Sequence, residues 1–185
     1  VTLINSTISD NMATTDGGGV VFGGTQASVI FCTIYGNKTA HNGGGISIQD
    51  FNFSNKAAAP SQVEMRNSIV AGNHADTGSG SDILGTLTTD GYNLIQSFSG
   101  VTFLDPLNKH STDIAGNTFP NLGIDPMLRD NGGPTLTLAL LPGSPAIDQI
   151  PLAACHINGI TTDQRGVRRP QGSACDIGAY EYVPS

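Results

Sequence analysis

The side chains best suited to acid–base chemistry lie near the carboxy-terminal end of the sequence. Asp163 and Arg165 are two residues apart, and Asp148 and Asp176 lie on either side of them. An active site would use Asp163 or Asp148 as a general acid or base and Arg165 to hold an anionic substrate. A structural cluster would instead use Arg165 as a fork that binds one of these carboxylates. We favour the structural interpretation, because the loops in this segment need partners for their backbone groups and charges.

The chain has three cysteines, and their positions suggest different roles. Cys155 and Cys175 lie in the loop-rich carboxy-terminal segment, and we predict a disulfide between them, with two buried free thiols as the alternative. This disulfide would contribute about 3 kcal/mol to stability. Cys32 shares an inward position with Ser6 and Ser68, which favours an inert core thiol over a nucleophile.

Metal-binding residues show no diagnostic spacing. The acidic residues of the first half are scattered, at Asp10, Asp16, Asp50, Asp76, Asp82 and Asp90. They form neither a D-x-D-x-D loop nor a calcium-binding nonapeptide repeat. The four histidines do not have zinc spacing either. We therefore predict no metal and no cofactor, with calcium as the alternative.

Composition and charge exclude several classes of partner. The net charge of −7 and the sequence pI of about 4.7 oppose binding to nucleic acid or to anionic lipid. The sequence contains no apolar run of the roughly 18 residues needed for a membrane span, so we expect no direct membrane insertion. Gly at 24 of 185 residues and charged residues at 12% favour many short strands joined by tight turns.

A repeat organises the first part of the chain. A shift of 26 residues aligns the first copy with the second, and a shift of 36 aligns the second with a third. None of the three copies can bury its apolar face alone, so equivalent residues are predicted to stack in columns. The predicted columns are Leu3, Val29 and Met65; Ile8, Ile34 and Val70; and Asn11, Asn37 and Asn73.

The repeat predicts an all-β fold, a right-handed parallel β-helix (solenoid) with a loop-rich carboxy-terminal cap. We place the β-helix coils at residues 1–104 and the final coils and cap at 105–185, in one continuous domain. Residues 49–62 are expected to form an outward loop, and residues 135–141 alternate like one more strand. The cap is expected to close the end of the stack, as solubility requires in such folds.

Four carboxy-terminal segments carry a resemblance to a known family. They are DNGGPT at Asp130, LLPGSPAID at Leu140, TTDQRGVRRPQG at Thr161 and CDIGAYE at Cys175. In order and spacing they resemble the signature of the choice-of-anchor Q domain proteins. The resemblance implies a secreted bacterial β-helix protein that reaches the cell surface through an interchangeable anchor. It carries over no catalytic residues, because none is established for that signature.

The leading functional hypothesis is therefore a secreted or cell-surface structural or adhesion protein, such as a filament or coat subunit. Its expected partners are itself, by head-to-tail stacking of β-helix ends, or upstream coils of a longer chain, with surface polysaccharide as a further candidate. The alternative is the non-catalytic part of a polysaccharide lyase or hydrolase of β-helix fold. Carbohydrate binding without catalysis is a third class, although Tyr35 has no aromatic counterpart at Ser9 or Ala71.

Overall fold

The protein is all-β, with parallel sheets built from very short strands. The computed structural model describes residues 1–50, 60–104 and 110–184. In these ranges the helical elements are a 3₁₀ turn at Gly116–Thr118 and the helix α1 at Leu152–Cys155. The strands are β1 (Thr2–Ile4), β2 (Thr7–Ser9), β3 (Met12–Ala13), β4 (Val20–Gly23), β5 (Gln26–Ile30), β6 (Thr33–Tyr35), β7 (Lys38–Thr39), β8 (Ile46–Gln49), β9 (Gln62–Arg66), β10 (Ile69–Ala71), β11 (His74–Ala75), β12 (Ile83–Thr89), β13 (Leu94–Ile95), β14 (Val101–Phe103) and β15 (Ile114–Ala115).

Strands pair with their equivalents in the neighbouring repeat, always in parallel. One sheet of seven strands follows the order β1-β5-β9-β12-β8-β4, with β14 also paired to β12. A five-stranded sheet follows β15-β13-β10-β6-β2, and a three-stranded sheet follows β11-β7-β3. The all-β parallel class expected from the sequence is therefore confirmed. Most of the loop expected at 49–62 lies outside the described residues.

The register of these pairs follows the repeat spacing. Leu3 pairs with Val29, and Val29 pairs with Met65. In the five-stranded sheet, Ile34 pairs with Ile8 on one side and with Val70 on the other. Because alternate side chains of a strand point to opposite faces, these residues enter one shared interior, where Val29, Met65, Ile34 and Val70 are fully buried.

The five-stranded sheet separates two hydrophobic cores. Ile34, Val70 and Ile95 point into the interior shared with the other sheets. On the same strands, Ile69 and Leu94 point the opposite way, into a second core. Residues 121–184, called here the lateral tail, supply the other side of that second core, including Leu138, Leu140, Ala146, Ile150 and Ile177.

The lateral tail runs along the side of the stack, and this position corrects the expectation that it closes an end. It is tied to three successive repeats. Thr7 Oγ1 donates to Gln164 Oε1 (2.6 Å), Ala179 N–H donates to Thr33 Oγ1 (3.0 Å), and Gly178 N–H donates to the Asn67 carbonyl (2.9 Å). A segment that contacts equivalent faces of three repeats covers a sheet and cannot be an end cap. The physical reason is the second apolar face of the five-stranded sheet, which needs a cover.

Residues 135–141 also differ from the expectation. The alternating sequence TLTLALL predicts one more strand of a stack, but the structure has only isolated antiparallel bridges there, between Arg129 and Thr137 and between Ile124 and Leu140. Both partners belong to the lateral tail. The alternation still determines part of the burial, since Leu138 and Leu140 are buried while Leu136 is half exposed.

A ladder of side-chain amides runs through the stack beside the sheets. We call Asn11, Asn37, Asn73 and Asp82 the amide ladder. The backbone N–H and Nδ2 of Asn11 both donate to Asn37 Oδ1 (3.1 and 2.9 Å), and those of Asn37 donate to Asn73 Oδ1 (2.9 and 3.0 Å). Asn73 Nδ2 in turn donates to Asp82 Oδ1 (3.0 Å). Asn37 therefore accepts from the first repeat and donates to the third.

A second ladder has the same polarity. Ser68 N–H donates to Asn93 Oδ1 (3.0 Å), and Asn93 N–H and Nδ2 donate to Asp113 Oδ1 (3.0 and 2.9 Å). Both ladders end in an aspartate, whose carboxylate accepts the last hydrogen bonds of the ladder.

We expect Asn37→Ala to lower the free energy of unfolding by about 3 kcal/mol, because it leaves the buried side-chain oxygen of Asn73 without the amide donor of residue 37 and removes the acceptor of Asn11. Asn11→Ala is the matched control. It removes the exposed first member of the ladder and should cost about 1 kcal/mol. Urea unfolding of both variants measures the two losses. Equal losses would contradict a ladder whose interior members carry the stability.

Candidate functional site

A buried charge cluster occupies the middle of the lateral tail. Arg169 and Glu181 have fully buried side chains and form an ion pair, with Arg169 Nη1 2.8 Å from Glu181 Oε2. The same guanidinium donates to the carbonyls of Asp176 (3.0 Å) and Gly178 (2.7 Å). It also lies over the ring of Phe31, 4.2 Å from the ring centroid. Arg169 therefore joins the tail to the second repeat.

Arg165 makes a second buried pair, next to the first. Its Nε donates to Asp163 Oδ2 (2.9 Å), and its guanidinium lies 3.6 Å from the centroid of the Tyr180 ring. Asp163 also accepts backbone N–H groups from Arg165, Val167 and Glu181. Of the three carboxylates considered from the sequence, Asp163 is the one that pairs with Arg165.

The other two predicted members of the cluster serve the backbone. Asp148 Oδ1 accepts from Ala174 N–H (2.9 Å), and Asp176 accepts from Asp148 N–H (2.7 Å) and Tyr182 N–H (2.5 Å). Neither binds Arg165 in the structure. Sequence reasoning missed the central Arg169–Glu181 pair, because the two residues are 12 positions apart in irregular chain and no periodic pattern links them.

Burial shifts the protonation of this cluster. Burial, reinforced by the nearby negative charge of Glu181, raises the pKa of Asp176 to about 7. Burial also raises the pKa of Glu181 and lowers that of Arg169, although the two charges partly offset each other's shifts. Shifted pKa values often mark catalytic groups. Here Asp163, Arg169, Asp176 and Glu181 are all at most 3% exposed, so a substrate cannot reach them.

The cysteines show no accessible reactive thiol. Cys155 and Cys175 form a disulfide with a Cα–Cα distance of 6.0 Å, and both are fully buried. Together with His156 they are also the one trio in the described ranges whose ligand atoms lie close enough to hold a metal ion. The disulfide occupies both sulfur atoms of that trio. Burial raises the pKa of the Cys32 thiol to about 11, which leaves it protonated near neutral pH.

A groove with a volume of about 470 Å³ lies on the outer face of the seven-stranded sheet. Its floor consists of rows that cross the strands. Thr2 pairs with Ser28, Ser28 with Glu64, and Glu64 with Thr88. A second row pairs Gln26 with Gln62, and Gln26 Nε2 donates to Gln62 Oε1 (3.3 Å). The wall residues include Ala27, Val63 and Leu104.

The chemistry available in this groove is hydrogen bonding. Among the lining residues that the structure describes, Glu64 is the one carboxylate, and none is a lysine, arginine or histidine. Glycoside hydrolysis ordinarily needs two positioned carboxyl groups, and the lining residues provide one. The hydroxyls and amides can both donate and accept, which suits an uncharged ligand rich in hydroxyl groups.

A second groove, of about 380 Å³, lies beside the end of the amide ladder and includes His74, Gln96 and Asn117. Asp82 borders it but is only 2% exposed. Its two carboxylate oxygens are already occupied by Asn73 Nδ2 (3.0 Å) and by Ser97 N–H (2.8 Å). Burial raises the pKa of Asp82 to about 6 against these hydrogen bonds.

We expect Arg169→Met to lower the free energy of unfolding by about 3 to 5 kcal/mol, because it leaves the Glu181 carboxylate buried without its partner. The matched control is Arg129→Met, in the same tail. Arg129 pairs with Asp125 at 2.6 Å, but its side chain is 55% exposed, so water screens that pair and the loss should be much smaller. Thermal or urea unfolding compares the two variants, and similar losses would contradict this assignment.

We also expect a pH dependence from Asp82. Its folded pKa of about 6 is above the ordinary value of 3.8, so between these pH values the folded state keeps a proton that the unfolded state has released. The contribution to stability is therefore complete below about pH 4 and is lost as the pH rises through 6. The stability of the wild type minus that of Asp82→Asn should fall over this range. Asp176 and Glu181 titrate in both proteins, so a constant difference would refute the assignment to Asp82.

Within the described ranges, no helix combines the length and the apolar character that a membrane span requires. Comparison of the chain with protein-family models, with curated proteins and with solved structures gives no match.

Proposed function

We propose that this chain is a secreted or cell-surface structural or adhesion protein, built as a right-handed parallel β-helix and acting through its surfaces. The observation that carries the proposal is the burial of its chemically competent groups. The Asp163–Arg165 and Arg169–Glu181 pairs are enclosed, and Cys32 is fully buried. The described residues that line the groove on the seven-stranded sheet offer hydrogen bonding and no acid–base pair.

The repeat geometry supports the β-helix part of the proposal. Equivalent residues pair in parallel at the repeat spacing in all three sheets, as in Leu3 with Val29, Ile8 with Ile34, and Met12 with Lys38. Parallel strands in one sheet are joined by right-handed crossovers in nearly all proteins, which favours the right-handed form. In such a fold each repeat contacts mainly its neighbours, and long, regular outer faces result.

Two observations support an extracellular location. The Cys155–Cys175 disulfide persists in oxidising compartments and is uncommon in the cytosol. The carboxy-terminal segments resemble those of choice-of-anchor Q domain proteins, which implies a surface anchor. The structure adds a physical role to those segments, because they form the lateral tail that covers the five-stranded sheet.

The groove on the seven-stranded sheet is the proposed contact with a surface polysaccharide. Its rows of Gln26 and Gln62, and of Ser28, Glu64 and Thr88, present donors and acceptors at successive strands, about 4.8 Å apart. A polymer lying across the strands would meet an equivalent group at each step. The net charge of −7 and the presence of Glu64 favour a neutral polymer over an acidic one.

A binding and turnover experiment tests this function. Purified chain is titrated with neutral and acidic bacterial polysaccharides, and the mixtures are assayed for newly released sugar ends, with and without calcium. We expect binding of a neutral polymer without cleavage. Gln62→Ala should weaken that binding about fivefold, because one hydrogen bond is worth about 1 kcal/mol. Gln149→Ala, which changes another exposed glutamine, on the lateral tail, is the matched control.

Release of sugar ends by the purified chain would favour the polysaccharide lyase or hydrolase alternative. Equal weakening by Gln62→Ala and Gln149→Ala would place the contact outside the groove.

A further inference from the structure

A smaller groove lies where the lateral tail begins, at the carboxyl ends of β6, β10 and β13. Its volume is about 220 Å³. Tyr35, Gly72 and Gln96, at these strand ends, form one wall. Residues of the segment 119–124, which leads into the lateral tail, form the other wall. The groove therefore lies between the five-stranded sheet and the segment that starts to cover it.

Each wall of this groove contributes an aromatic residue. Tyr35 comes from the sheet, and Phe119, which is 40% exposed, comes from the segment before the tail. The Tyr35 ring lies against Gly72, where a Cβ would come within 2.8 Å of ring atom Cε2. Tyr35 has no aromatic counterpart at the equivalent repeat positions, Ser9 and Ala71. The structure supplies a second ring from outside the repeats.

Two primary amides line the same groove, and the backbone holds each of them. Gln96 Oε1 accepts from the Gly72 N–H (2.7 Å), and Asn121 Oδ1 accepts from the Gly123 N–H (2.8 Å). Because a backbone N–H can only donate, these bonds fix which end of each amide is the oxygen. In the described ranges no hydrogen bond uses the NH₂ group of Gln96 or of Asn121. Both groups are therefore donors in fixed positions.

The charge of the groove favours a neutral ligand. None of the described residues that line it is charged. Burial, together with the negative charge of Asp10, raises the pKa of Tyr35, so the potential at this wall disfavours an anion.

The mixture of rings and donors favours a sugar over an apolar ligand. An apolar ligand would leave the two amide donors without acceptors, which costs binding energy. A sugar ring has apolar C–H faces that can pack against Tyr35 and Phe119, and its hydroxyl oxygens can accept from Gln96 and Asn121. The groove therefore suits a neutral sugar.

The size of the groove limits its occupant to about one ring. Pockets for drug-sized ligands have volumes of about 300 to 1,000 Å³, and this groove is smaller. At Gly72 and Gln96 it meets the second groove, of about 380 Å³, beside the end of the amide ladder. Because the two grooves share these residues, a ligand of several rings can continue from one into the other.

We propose that this groove binds one residue of a neutral sugar chain. The rings of Tyr35 and Phe119 pack against the faces of the sugar, and the NH₂ groups of Gln96 and Asn121 donate to its hydroxyl oxygens. Neighbouring residues of the sugar chain continue into the second groove. In its class of ligand this proposal rests on the proposed function, but the site lies on a different sheet from the groove proposed there.

An NMR titration tests the site with the methyl glycosides of glucose, galactose, mannose and N-acetylglucosamine, and with methyl glucuronide as the acidic comparison. Each is added to about 50 mM, which detects complexes with a Kd in the millimolar range. We expect at least one neutral glycoside to shift the side-chain amide signals of Gln96 and Asn121. Methyl glucuronide should bind about threefold more weakly or worse. No shift with any neutral glycoside, or equal binding of the glucuronide, would overturn the proposal.

Gln96→Glu tests a single donor, because it keeps an oxygen for the Gly72 N–H and removes the NH₂ group. We expect about tenfold weaker binding of the glycoside. The matched control is Gln149→Glu, which makes the same chemical change and the same change in net charge at an exposed glutamine of the lateral tail. It should bind like the wild type, and equal affinities of the two variants would contradict the assignment.

Phe119→Leu tests the aromatic face while keeping an apolar side chain. Binding should weaken about fivefold, and an unchanged affinity would refute the role of the ring.

Gln62→Ala, in the groove on the seven-stranded sheet, separates this proposal from the proposed function, because it should leave glycoside binding at Gln96 unchanged. If Gln62→Ala weakens polymer binding and no glycoside shifts the Gln96 signal, the proposed function stands and the present site does not. If glycosides shift that signal and Gln62→Ala has no effect on polymer binding, the present site stands and the other groove does not.

Discussion

The structure depends on hydrogen bonds between neighbouring repeats, because each repeat needs partners at the equivalent positions of the repeats beside it. A primary amide is suited to this, because it accepts on one side and donates on the other. Asn37 does both while fully buried. Asparagine can therefore be repeated along a stack without leaving a polar atom unsatisfied. Aspartate fits only where a ladder ends, and Asp82 and Asp113 occupy those positions.

The lateral tail follows from a second requirement. Short parallel strands with apolar residues on both faces need cover on both faces. The interior of the stack covers one face of the five-stranded sheet, and the tail covers the other with little regular secondary structure of its own. The Asp163 and Arg169 side chains bind several of its backbone groups. Arg165, which the sequence offered as a candidate to hold an anionic substrate, thus helps to hold an irregular segment in one conformation.

The parts of the fold that could be predicted from the sequence are those that repeat. The columns through Val29, Ile34 and Asn37 could be predicted because a 26-residue shift aligns them, and parallel pairing preserves that alignment in space. The position of the tail could not be predicted in this way. Its contacts, such as Ala179 with Thr33, join residues 146 positions apart and have no period. Periodicity also cannot distinguish a segment that covers an end from one that covers a side.

The same limit applies to the candidate site. Asp163 and Arg165 were found from the sequence because they are close neighbours in the chain, and their pairing is local. Arg169 and Glu181 meet only because the tail folds back on itself around Phe31. The groove depends on which face of the seven-stranded sheet stays uncovered. The hydrophobic pattern indicates which residues point outward, but it does not indicate which outward face the tail leaves open.

The lateral tail has a consequence for biogenesis. Because a ribosome makes the repeats first, the second apolar face of the five-stranded sheet, with Ile69 and Leu94, exists before the residues that cover it. During that interval the nascent chain exposes an apolar surface, and aggregation competes with folding. Chaperone assistance would be most useful between synthesis of β13 and synthesis of Ile177. A chain that terminates prematurely in this interval would be a natural substrate for quality control.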